Sequence, residues 1–74
     1  MIVRGLVLIE GNSLNKDDFK MSLANAKQIV LGSTPDFGVI LHLAANSLKD
    51  FENALLKFAK VKDVTGVVTL ALRQ

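Results

Sequence analysis

The chain has no cysteine, no tryptophan and no tyrosine, and only one proline and one histidine among its 74 residues. Each absence excludes something. Without cysteine there is no disulfide and no thiolate zinc site. The single histidine, His42, makes no metal centre unless several carboxylates converge on it. It also has no nucleophile elbow to serve in a Ser-His-Asp arrangement. Gly32 and Gly38 flank a turn and lack the GxGxxG or GxxxxGK[ST] spacing of a phosphate loop. The pair Asp17-Asp18 fits the first turn of a helix, where the dipole favours anions, better than acid–base chemistry. We therefore expect no catalytic residue, no enzymatic activity, no cofactor and no metal. No apolar run reaches the roughly 18 residues of a membrane span. The opening Met1-Ile2-Val3-Arg4 lacks the charge-then-apolar order of a secretory signal. A cytoplasmic protein without membrane contact is the expectation. The net charge of +2 comes without a basic cluster, so no direct nucleic-acid partner is expected.

What is present is apolar: 50% of the residues are hydrophobic. A chain this short forms one domain, residues 1–74, and buries only about 60% of its unfolded surface. Such domains need a disulfide, a metal or a partner to supplement the core. With the first two excluded, burial against a partner is the expected supplement.

Along the chain, Ile2 to Ile9 reads as a strand rich in β-branched residues and leucine. Ser13 or Asn15 caps a helix with Asp17 and Asp18 in its first turn. Phe19, Leu23, Ala26 and Val30 then recur at helical spacing, and Ile29 to Leu31 is a short strand or a helix end. A turn over Gly32 to Asp36 leads into a strand from Phe37 to Ala45. Asn46 or Ser47 caps a second helix whose apolar face is Leu48, Phe51, Leu55 and Phe58, with Asp50 placed close to a capping-box position. Asp63 and Gly66 bracket a turn or bulge, and Val67 to Leu72 is the last strand. The order β-α-β-β-α-β predicts an α+β, ferredoxin-like split βαβ domain. Both helices lie on one face of a four-stranded antiparallel sheet with the strands in the order fourth, first, third, second.

In that fold the second sheet face has no helix over it, and a wet face alternates cleanly with the buried one. Here it does not. The sets that hold the polar residues Arg4, His42, Thr69 and Arg73 are the natural outer face, yet they also hold Ile2, Leu6, Leu8, Ile40 and Val67. If each of those five side chains hides about 60 Å² in a partner, the gross gain is on the order of 7 kcal/mol. The expected consequence is a two-fold dimer, or a higher homo-oligomer, through Ile2, Arg4, Leu6, Leu8, Ile40, His42, Val67 and Thr69. Two readings stand for His42, a packed interface histidine or a pH- or ligand-sensing contact. Two also stand for Arg4: it binds a carboxylate, or its stem covers apolar surface.

The stretch DFGVILHLAANSLKDFENALLKFAKVKDVTGVVTLALR, residues 36 to 73, resembles the second half of the ligand-binding (RAM-type) domain of the Lrp/AsnC feast/famine regulators. The likeness lies in the Asp-containing turn, the apolar strand, the SLKDF helix start and the V-x-G-V lead into a last strand holding TLAL. Residues before this stretch agree in element order only. The family's turn runs Gly, any residue, aromatic, Asp; here it reads Pro35-Asp36-Phe37-Gly38. The resemblance implies a small regulatory domain without the DNA-binding part. It implies an amino acid or related metabolite as effector near Gly32, Asp36 and Phe37, and mixed oligomers with full-length regulators. A turn and nothing more is the other reading of those residues, since Pro, Asp and Gly are what a turn needs. A second resemblance, to NapD-like chaperones, rests on the last strand and implies peptide binding across the apolar sheet face.

Overall fold

The computed structural model describes residues 2–74. Four strands, β1 (Val3–Gly11), β2 (Ala26–Thr34), β3 (Gly38–Ala45) and β4 (Val64–Arg73), form one antiparallel sheet in the order β2-β3-β1-β4. This is the strand order expected from the sequence. One helix, α1 (Leu48–Ala59), lies between β3 and β4 in the chain. The result is a small α+β unit, compatible with a ferredoxin-like arrangement but with one helix where two were expected.

The helix starts where its cap requires. Ser47 is extended, its Oγ accepts the Asp50 N–H at 3.1 Å, and its hydroxyl donates to the Asp50 carboxylate at 2.9 Å. Phe51, Ala54 and Phe58, at 3- and 4-residue spacing, are the buried side of α1. They cover an all-apolar sheet face made by Val3, Val7 and Ile9 of β1 and Val39, Leu41, Leu43 and Ala45 of β3, each at most 2% exposed. A methyl group at Gly5 would come within 2.9 Å of the Phe51 ring. The bare backbone there lets the ring lie close on the central strand. Gly38 opens β3 with φ of +122°, and a Cβ there would overlap the Ile9 carbonyl, so no other residue fits.

The expected first helix is absent, which corrects the reading of residues 13–30. Its cap is real: Asn15 Oδ1 accepts the Asp17 N–H at 2.9 Å. The helix stops after one 3-10 turn, Lys16–Phe19. Leu23 and Ala26 then bridge around Asn25, which has φ of 57° and breaks any helix passing through it. Ala26 and Val30 do share a face, but of a strand. Residues four apart align on both a helix and a strand, so their spacing was ambiguous. The segment that replaces the helix is held by Gln28, whose Nε2 donates to the carbonyls of Phe19, at 2.9 Å, and Met21. Phe19 is fully buried and meets Phe58 edge-on, centroids 6.1 Å apart. One ring thus closes much of the core that a whole helix was expected to cover.

A second correction concerns β4. Ile9 pairs with Val67, Leu8 with Val68 and Val7 with Thr69, and after a bulge Leu6 pairs with Ala71 and Arg4 with Arg73. Cross-strand partners share a face. Val67 and Thr69 therefore belong to the helix-covered face, and Val67 packs against the core. The outer position is Val68. The extra residue at Leu70 reverses the facing, so a strict alternation counted back from Arg73 misplaces Gly66 to Thr69, until a second irregularity at Thr65 restores it at Val64.

Candidate outer sheet face

With the register known, the face opposite α1 resolves into four rows, each crossing β2, β3, β1 and β4 in turn. The first is Lys27, Ala44, Arg4 and Arg73. The second is Ile29, His42, Leu6 and Ala71. Next comes Gly32, Ile40, Leu8 and Val68, and last Thr34, Gly38, Glu10 and Gly66. The two middle rows are apolar apart from His42. They are flanked by a cationic row at one end and, at the other, a row whose only charge is Glu10.

Much of this apolar surface is open to solvent. Leu6 is 37% exposed, Ile40 39%, Val68 40% and Ile29 64%, while Leu8 and His42 are half-buried. Of the residues expected on this face, Arg4, Leu6, Leu8, Ile40 and His42 are there, and exposed Ile2 lies just before β1. Lys27, Ile29, Val68 and Glu10 were missed. Lys27 reads as part of a helix end, Ile29 reads equally as a short strand or a helix end, and Val68 falls on the wrong side of β4. The β-branched run Ile29-Val30 in front of a turn was the available signal for a strand.

The charged side chains of this face make no ion pair among the described residues. The one ion pair among the described residues is Lys20 to Asp17 at 3.1 Å, away from the sheet. Arg4 and Arg73 are direct cross-strand neighbours on one face, an arrangement that repels. The Glu10 carboxylate leans over β4: a Cβ built at Gly66 would lie 2.7 Å from Glu10 Oε1. Glycine at that position leaves the carboxylate room between β1 and β4.

A hollow of about 440 Å³ opens beside the β2–β3 turn, lined by Leu8, Ile40 and Phe37 around Gly32, with Ser33, Thr34 and Gly38 completing it. Nothing stands within 4 Å of where a Gly32 side chain would begin. Phe37, 71% exposed, forms its rim. Gly32 and Phe37 of the candidate effector site thus come together, whereas Asp36 is not part of the lining. The turn is fixed locally: the Phe37 N–H donates to Thr34 Oγ1 at 3.1 Å, and the Ser13 N–H to the Pro35 carbonyl at 3.2 Å. No group of three His, Asp or Glu residues capable of holding a metal occurs among the described residues. No helix among them is long and apolar enough to cross a membrane.

No protein-family model, no curated protein and no solved structure matches the chain.

Proposed function

We propose that the chain is a small self-associating regulatory domain of ferredoxin-like type, which dimerises through the outer sheet face and takes a small effector in the hollow beside Gly32. The observation that supports it is the pair of apolar rows on the side away from α1. The face spans four strands at about 4.8 Å spacing and six residue steps of about 3.3 Å, or roughly 19 by 20 Å. Covering it on two copies buries about 1,000 Å² once side-chain relief is counted, which is about the lower threshold for a biological interface and suits a weak dimer.

The effector reading rests on the hollow, whose walls are apolar and whose floor is a bare glycine. An amino acid with an apolar side chain suits it, as the likeness of residues 36–73 to the Lrp/AsnC ligand-binding domain suggests. In that setting the domain acts by forming mixed oligomers with full-length regulators. The competing reading places a partner's peptide on the same face, as in NapD-like chaperones.

Light scattering on the purified chain and on Leu6→Lys separates the two. Self-association predicts a dimer or larger for the wild type and a folded monomer for the variant. A wild-type monomer at micromolar concentration removes this reading and favours the peptide-binding one. Thermal shift against a panel of amino acids tests the effector, since a ligand that binds the native state raises its stability. No shift at millimolar concentration leaves an assembly role alone. Gly32→Leu, which fills the hollow, abolishes any shift that is found.

A further inference from the structure

Resting on the dimer proposed above, we infer that the two copies pack with their strands antiparallel, so that Arg4 and Arg73 of each clasp Glu10 of the other. The occupant of the outer face is a second copy of this chain, and its orientation follows from the distribution of charge.

Aligned sheets pack with strand directions within about 30° of parallel or antiparallel. A two-fold axis along the strands keeps each row level with its own copy. The cationic row then meets a cationic row, with Arg4, Arg73 and Lys27 of both copies gathered at one end. Like charges brought together across an interface oppose association. A two-fold axis across the strands, level with Val7 of β1, exchanges the ends. Each strand then lies over its own copy, and the Arg4 row covers the Glu10 row.

Three features of the face fit this second arrangement. Arg4 and Glu10 are both on β1, so each Arg4 comes over a Glu10. The carboxylate leans over Gly66 on β4, and Arg73, on β4 as well, comes over that glycine. Glu10 is thereby set between two guanidinium groups, each able to donate to it in fork geometry. The rows also match in size, because on β2 the exposed Ile29 of one copy comes over the open space at Gly32 of the other. The second copy's Ile29 and an effector then compete for the space beside Gly32, so that effector binding works against assembly.

A charge swap tests the orientation. In the full chain, Arg4→Glu and Glu10→Arg each raise the dimer Kd by roughly tenfold or more, read by sedimentation equilibrium at low salt. The double variant, carrying both changes, recovers most of the loss. Arg73→Glu with Glu10→Arg provides an independent swap if Arg4→Glu fails to fold, as checked by circular dichroism. A wild-type dimer whose double variants dissociate as readily as the singles overturns the antiparallel arrangement while leaving dimerisation standing. A wild-type chain that is monomeric overturns both.

Discussion

On β1, Val3, Val7 and Ile9 face α1 and are at most 2% exposed, while Leu6, one residue from Val7, points the other way and is 37% exposed. Both faces of the central strands are apolar, yet the chain covers only one of them. Side chains of the same kind therefore hold different parts of the free energy. On the inner face they stabilise the single chain. On the outer face they lie open to solvent in the single chain. The difference is one of cover: α1, Phe19 and the strapped segment around Met21 lie over one side, and no element lies over the other.

Substitutions on the two sides separate these roles. Phe19→Ala removes a fully buried ring packed against Phe58, and unfolding in urea should show a loss of about 3–5 kcal/mol. Gln28→Ala frees the segment that stands where a helix was expected. Two carbonyls lose their donor, and the same measurement should show a loss of about 1–3 kcal/mol. Ser47→Ala removes the α1 cap and should cost about 1 kcal/mol. On the outer face the order reverses. Leu6→Lys should leave the stability of the folded monomer within about 0.5 kcal/mol while abolishing assembly. If Leu6→Lys instead lowers monomer stability as much as Phe19→Ala, the two faces do not differ as described.

The same contrast accounts for what was legible in the sequence. The strand order, the faces of β1 and β3 and a helix cap at Asn46 or Ser47 followed from alternation and from residue chemistry that acts over a few positions. The edge strands did not. Ala26 and Val30 sit at a spacing that serves a helix and a strand alike, and what decides between them is the left-handed Asn25, a single residue upstream. On β4 the bulge at Leu70 inverts the pattern partway along, so Val67 and Thr69 read as outer residues although they oppose Ile9 and Val7. Both errors fall on strands with one free edge, where register is set by a neighbour on one side only. The charge rows that orient the proposed dimer became visible only after these registers were known, because Lys27 and Arg73 come from the two edges.

The dependence of unfolding on protein concentration tests most directly whether the outer face belongs to an assembly. A dimer that exists only between folded copies is stabilised by mass action. The urea midpoint of the wild-type chain should therefore rise as its concentration is raised from the micromolar range, while that of Leu6→Lys stays constant. A wild-type midpoint that does not move with concentration would contradict the account.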